Sequence, residues 1–151
     1  MFKIKNILLP TDFSKISLTA AEYAVELAKE YKAKLHILNI VEKTPHILDI
    51  RSLDLSRENI IESIDADAKS QLDDCVKKVK KMGEIEIVPV IRKGIDYEEI
   101  IKYSKEKKID VIVIATHGRT GILHTLLGSV AEKVIRYSKI PVLVTTPHSK
   151  S

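Results

Sequence analysis

Two glycine-containing stretches and one short turn hold the residue types in this chain that are best suited to chemistry. Nine residues separate Gly118 from Gly128, and Gly128 is followed by Ser129 at the start of a predicted helix. Glycine lets a backbone approach a ligand closely and adopt left-handed dihedrals that point successive N–H groups inward. At the positive end of a helix, such N–H groups bind anions. The spacing therefore favours a phosphate site completed by the N–H groups of Ser129 and Val130.

The spacing alone leaves a second interpretation open. Turn glycines are common in loops, and Ser129 with Glu132 three residues later fits a capping box, in which the serine hydroxyl bonds its own helix. No glycine loop ends in Lys-Ser or Lys-Thr, and the first strand–helix turn lacks glycine, so the standard nucleotide signatures are absent. His117 and His124 have no orienting partner nearby in sequence, so we expect them to form hydrogen bonds or face solvent.

Five short apolar runs predict the strands that position these loops, at 4–9, 35–41, 85–91, 110–115 and 141–145. They are mostly continuous Ile, Val and Leu, which is typical of strands covered on both faces. The segments between them have helical spacing. With right-handed crossovers, this order predicts a single doubly wound α/β domain over residues 1–151. We expect a five-stranded parallel sheet in the order 3-2-1-4-5 with helices on both faces.

Capping residues predict where the helices begin. Either Asp12 or Ser14 can cap the first helix, and Asp96 with Glu99 fits a capping box at the third. In an open parallel sheet, ligands bind beyond the carboxyl ends of the strands, where the strand order reverses. The loops after the first and fourth strands, 10–14 and 116–121, should therefore flank the binding crevice.

Three segments carry a family resemblance: Pro-Thr-Asp-Phe-Ser at 10–14, Ala-Thr-His-Gly at 115–118 and Gly-Ser-Val at 128–130. Together they resemble the motifs of the universal stress proteins, and the resemblance covers the whole chain. The family's Gly-x2-Gly-x9-Gly-Ser pattern marks its ATP-binding branch. Ala115 replaces the first glycine of that pattern here, and its methyl group is expected to weaken binding without closing the site.

The resemblance implies a set of nucleotide contacts. Asp12 would contact the ribose or the metal, and the backbone of Ile40 would meet the adenine edge. Ile114 and Ala115 would line the base and sugar. Gly118 and residues 128–130 would hold phosphates bridged by Mg²⁺ or Mn²⁺. Such a cation needs few protein ligands. Asp12 as a helix cap only, and Arg119 as a solvated residue instead of a γ-phosphate contact, remain open. The implied contacts are Pro10, Thr11, Asp12, Ile40, Ile114, Ala115, Gly118, Arg119, Gly128, Ser129 and Val130.

The resemblance favours a cytoplasmic, ATP-binding sensor or switch in a stress response. We do not expect the protein to be an enzyme, apart from slow ATP hydrolysis, because the sequence shows no evident base for phosphoryl transfer. The alternatives are an ATPase or phosphotransferase using His117 and Arg119, and a nucleotide-free interaction module. A homodimer is expected through the apolar last strand, at Val142 and Val144.

Composition narrows the partners. There are 25 basic and 21 acidic residues, a mixed surface that does not indicate nucleic acid. No apolar run approaches the roughly 18 residues of a membrane helix. The single cysteine, Cys75, excludes an intrachain disulfide; we expect it in the core, and a reducing cytoplasm is its natural setting.

Overall fold

Five strands alternate with four helices in the computed structural model, which describes residues 2–43, 57–116 and 128–146. The predictions for Gly118, Arg119, His117 and His124 lie outside these residues. In chain order the elements are β1 Asn6–Pro10, α1 Lys15–Tyr31, β2 Lys34–Val41, α2 Arg57–Lys80, β3 Ile87–Lys93, α3 Asp96–Glu106, β4 Val111–Ala115, α4 Ser129–Tyr137 and β5 Val142–Thr145.

The strands form one parallel sheet in the order β3-β2-β1-β4-β5. This confirms the predicted order. The chain builds outward from β1 to β3 and then returns to place β4 on the other side of β1. The carboxyl ends of β1 and β4 therefore flank the point at which the strand order reverses.

Alternate residues of the central strands supply two separate cores. Ile7 and Leu9 of β1 pack in the cluster that contains α1 and α2, whereas Leu8 packs with α3 and α4. This two-sided burial explains the continuous apolar runs. Cys75 lies in the first cluster, as expected, and burial raises the pKa of its thiol. Of the helices in the described ranges, none has the length and apolar character of a bilayer span.

The two edge strands are less covered than predicted. Most residues of β3 and β5 are only half-buried, and Pro89 of β3 and Leu143 of β5 are exposed. The predicted helices do cover both faces of the sheet, with α1 and α2 on one and α3 and α4 on the other. The extra exposure is confined to the two edge strands, each of which has a neighbouring strand on one side only. Val142 and Val144 pack against the α3–α4 core.

The amino-terminal end of α1 is capped by Ser14, whose side chain accepts a hydrogen bond from the Ser17 N–H at 3.1 Å. At α3 the predicted capping box is wrong. Ile95 occupies the N-cap position without a side-chain bond, so Asp96 is already inside the helix and its Oδ1 accepts instead from the Tyr97 N–H at 2.6 Å.

The start of α4 also differs from the capping-box interpretation. Gly128 is the N-cap, and Ser129 is the first helical residue. The carboxylate of Glu132 accepts a hydrogen bond from Arg136 at 2.8 Å, one turn later in the helix. The Ser129–Glu132 capping box is therefore wrong, because the helix begins one residue before the position it requires.

A buried polar network crosses the sheet near the amino-terminal ends of the strands. His36 of β2 lies 2.6 Å from the Tyr103 hydroxyl through Nδ1 and 3.0 Å from Asn6 Oδ1 through Nε2. The Asn6 oxygen can only accept, so Nε2 carries the proton and Nδ1 accepts from the tyrosine. Burial, followed by the charges of Lys34 and Lys107, lowers the pKa of His36, with Glu86 opposing them.

We expect His36 to make stability depend on pH. Its ordinary pKa is 6.5 and its folded pKa is lower, so the unfolded chain takes up a proton first and the free energy of unfolding falls as pH drops below about 6.5. His36→Leu should cost about 1–3 kcal/mol at pH 7.5, since it leaves the Tyr103 and Asn6 partners unpaired. It should also reduce the loss between pH 7.5 and 5.0 in urea unfolding. An unchanged pH slope in the variant would contradict this assignment.

Two serines at helix starts provide a matched pair. Ser14→Ala removes the cap of α1 and should lower the free energy of unfolding by about 1 kcal/mol. Ser129→Ala, within the first turn of α4, should change it by less than about 0.5 kcal/mol. Chemical denaturation of both variants checks this. Equal losses would mean that Ser129 caps α4 after all.

Candidate functional site

A cleft of about 940 Å³ lies beyond the carboxyl ends of β1, β2 and β4. Its position matches the crevice predicted at the reversal of the strand order. Gly118 and Arg119 lie outside the described residues. Nine of the predicted contacts line the cleft: Pro10, Thr11, Asp12, Ile40, Ile114, Ala115, Gly128, Ser129 and Val130.

The start of α4 forms a wall of backbone N–H groups. Ser129, Val130 and Ala131 are the first three helical residues, so their N–H groups have no acceptor within the helix, and all three residues line the cleft. Together with the positive end of the helix dipole, they make this wall suited to an anion.

Gly128 contributes to this wall by lacking a side chain. Its φ of −69° and ψ of 155° are ordinary extended values. The expectation that glycine is needed for left-handed dihedrals is therefore wrong at this position. What glycine offers here is the absence of a side chain directly before the three N–H groups, which leaves the backbone open to close approach.

Thr116 fixes the start of α4 to the sheet. Its N–H donates to the Thr145 carbonyl at 2.9 Å, and its own carbonyl accepts from the Gly128 N–H. Thr116 is buried and lines the cleft. The sequence did not predict this role, because Thr116 and Gly128 are far apart along the chain and no sequence pattern indicates that they are bonded.

A tight turn after β1 carries Asp12. The Asp12 Oδ1 atom accepts from the Ser14 N–H at 2.9 Å, and Thr11 Oγ1 accepts from the Phe13 N–H at 2.9 Å. Phe13 adopts φ of 68°, in the left-handed region. Because Ser14 caps α1, the interpretation of Asp12 as the helix cap is wrong. Asp12 instead shapes the turn and lines the cleft.

The apolar part of the cleft is formed by side chains from β2 and β4, the strands on either side of β1. Ile40 is near the end of β2 and Ile114 is near the end of β4; both pack on the α3–α4 core and line the cleft. Ile100 of α3 lines it as well. These three isoleucines suit the face of an apolar or aromatic ring rather than a charged group.

The charges at the helix starts give the cleft a direction. Asp96, Glu98 and Glu99 lie in the first turn of α3 and line the cleft. Glu99 is paired with Arg92 at 3.7 Å, and the carboxylates of Asp96 and Glu98 offset the positive end of that helix and repel an anion. The first turn of α4 carries one acid, Glu132, which is paired with Arg136. An anion is therefore favoured at α4 and disfavoured at α3.

Sequence comparison identifies relatives that span nearly the whole chain. The family model described as the universal stress protein family matches residues 3–146. The chain is 38% identical to universal stress protein MJ0531 of Methanocaldococcus jannaschii over 149 residues, 97% of this chain and 84% of that protein. It is 33% identical to universal stress protein MJ0577 of the same organism, over 93% of each protein.

Solved structures share the fold. The structure of MJ0577 aligns with a TM-score of 0.81 at 28% identity, over 97% of this chain and 98% of that chain. A universal stress protein in complex with cAMP aligns with a TM-score of 0.72 at 24% identity, over 95% and 98% of the two chains. With the family model covering residues 3–146, this chain belongs to the universal stress protein family.

Proposed function

We propose that this chain binds ATP in the cleft and acts as a nucleotide-dependent sensor or switch in a stress response. The observation that carries the proposal is the row of N–H groups at the start of α4, lining the same cleft as the apolar Ile40 and Ile114. This combination suits a ligand that is anionic at one end and has a planar apolar ring at the other.

The charge pattern supports one orientation of the nucleotide. The phosphates lie at Gly128, Ser129 and Val130, where N–H groups and the helix dipole favour negative charge. The adenine lies near Ile40 and Ile114, toward the acidic start of α3. That end would repel phosphate but tolerates the exocyclic amine of adenine, which is a hydrogen-bond donor.

The remaining contacts follow from the turn after β1. Asp12 lies between the two ends in the family-based assignment and would meet the ribose or a cation bound to the phosphates. Within the described ranges, no three His, Cys, Asp or Glu side chains are grouped to hold a metal ion. Mg²⁺ or Mn²⁺ would therefore take most of its ligands from the phosphates and water.

The proposed role is binding rather than turnover. Phosphoryl transfer needs charge neutralisation at the γ-phosphate and a positioned nucleophile. Among the described residues that line the cleft, Lys43 is the one cationic side chain, and it follows β2 rather than preceding α4. Occupancy of the cleft, as a signal read by another molecule in the cytoplasm, fits this arrangement better than catalysis.

We further propose a homodimer through the outer edge of β5. Leu143, an apolar residue in the middle of this strand, is exposed. The opposite edge strand, β3, contains Pro89, which cannot donate a backbone hydrogen bond and so disfavours strand addition. Antiparallel pairing of β5 with its twin would continue the sheet across a two-fold axis.

Gly128→Val should abolish measurable ATP binding in calorimetry. A side chain at the anion wall would block at least two N–H contacts, each worth roughly 1.5–3 kcal/mol when charge-assisted, so affinity should fall about 100-fold or more. The ordinary φ of Gly128 means that circular dichroism should stay unchanged. Asp12→Ala should weaken binding less, because the phosphate contacts remain.

A matched control tests whether the loss of ATP affinity is specific to Gly128 or follows from replacing any glycine. Gly83 lies outside the lining of the cleft, and an added Cβ would meet mainly the flexible side chain of Lys29. Gly83→Ala should bind ATP like the parent, and Gly128→Ala should bind more weakly. Parent-like binding by Gly128→Val would rule out this wall as the phosphate site.

Leu143→Lys should convert the dimer to a monomer in light scattering. Leu143 is 39% exposed on β5, whereas Val142 and Val144 pack on the core, so lysine at those two positions would disturb folding as well as pairing. Ile95→Lys, an equally drastic change at a 55% exposed residue away from β5, is the control. A dimer that survives Leu143→Lys with unchanged dissociation would place the interface elsewhere.

A further inference from the structure

Asn39 is a buried polar residue at the end of β2, and sequence reasoning gave it no role. It is 7% exposed and lines the cleft beside Ile40. Its Nδ2 donates a hydrogen bond to the Thr11 carbonyl at 2.9 Å. The side chain thus bonds the backbone of the residue that directly precedes Asp12.

The bond from Asn39 is one of several that hold Thr11 in place. The Thr11 N–H donates to the Leu38 carbonyl at 2.9 Å, and the Thr11 hydroxyl lies 2.8 Å from the Ser17 hydroxyl. Leu38 and Ser17 thus hold the amide nitrogen and the side chain, and Asn39 holds the carbonyl. The peptide that leads into Asp12 is the one that Asn39 bonds.

The local backbone explains why this peptide needs support. The turn contains Phe13 in the left-handed region, which is strained for a non-glycine residue and persists only where the surroundings fix it. Asp12 and Thr11 supply side-chain acceptors within the turn. Asn39 supplies a bond from a neighbouring strand, anchoring the turn to the sheet.

Asn39 is also part of the cleft surface, which it lines together with Thr11 and Asp12. It is thus both a cross-strand anchor of the turn and a residue of the cleft itself.

We propose that Asn39 is a positioning residue for Asp12, and that it sets the affinity for the nucleotide by fixing the turn that presents the Asp12 carboxylate. The effect on affinity rests on the proposed function. The anchoring of the turn does not, because it is a property of the chain without ligand. Asparagine suits this position because leucine has no donor for the Thr11 carbonyl and aspartate would place a second oxygen against it.

The anchoring is tested on the protein without ligand by amide hydrogen exchange. Asn39→Leu should increase the exchange rates of the Phe13 and Ser14 N–H groups, which donate within the turn, by about 5-fold or more. The matched control is Asn6→Ala. This change removes another asparagine bond between β1 and β2, the one to His36, at the opposite, amino-terminal end of the strands. Unchanged protection of Phe13 and Ser14 in Asn39→Leu would overturn the proposal whether or not the protein binds nucleotide.

The link to affinity is tested by a double-mutant cycle with Mg²⁺–ATP in calorimetry. Asn39→Leu and Asn39→Asp should each weaken binding about 5- to 10-fold in the parent, and by less than 2-fold when Asp12 is already alanine. Asn6→Ala should leave affinity unchanged. Equal losses in both backgrounds, or parent-like affinity in the Asn39 variants, would overturn the role through Asp12. If the parent protein binds no ATP, the proposed function is refuted. The anchoring of the turn by Asn39 would still be tested by the hydrogen-exchange measurement.

Discussion

Parallel pairing of every strand is the constraint on which the rest of this structure depends. It sends all strand carboxyl ends to one end of the sheet, and because α1, α3 and α4 each follow a strand in the chain, these helices begin at that same end. The starts of α1, α3 and α4 therefore all border one cleft, at Asp12, Ile95 and Gly128. Three positive helix ends lie near one another there as a direct consequence of parallel strand direction.

Local chemistry then makes these three ends different from one another. Ser14 and the Asp12 turn occupy the start of α1, and three acids occupy the start of α3. The start of α4 follows Gly128, which has no side chain, and the one acid in its first turn pairs with Arg136. The positive helix end is thus capped by Ser14 at α1, faced by acidic side chains at α3 and left available to an anion at α4. This difference gives the cleft its polarity.

The sequence was a good guide where the signal was local and repeated. Continuous apolar strands and helical spacing predicted the sheet order. The family resemblance that the glycine and Pro-Thr-Asp motifs carry named nine residues that the structure brings to one cleft, and their contact with a nucleotide stays a prediction. The sequence failed where one residue of register mattered. Asp96 and Ser129 look like N-caps in sequence, but in the structure both are the first helical residues, and Ile95 and Gly128 take the N-cap position.

The missed residues share a different cause. Asn39 acts on Thr11 from another strand, and Thr116 acts on Gly128 across a segment with no periodic pattern. Such bonds join residues that are distant in sequence, and neither asparagine at a strand end nor threonine after a strand is an unusual pattern. Only the three-dimensional pairing of strand ends reveals them.

The polarity of the cleft can be measured directly by paramagnetic broadening with Mn²⁺–ATP. Mn²⁺ bound to the phosphates broadens nearby amide signals in a ¹⁵N–¹H spectrum, with a diamagnetic Mg²⁺–ATP sample as reference. We predict selective loss of the Ser129 and Val130 signals, while those of Asp96 and Tyr97 at the start of α3 persist. Broadening centred on the start of α3, with the Ser129 and Val130 signals intact, would contradict it.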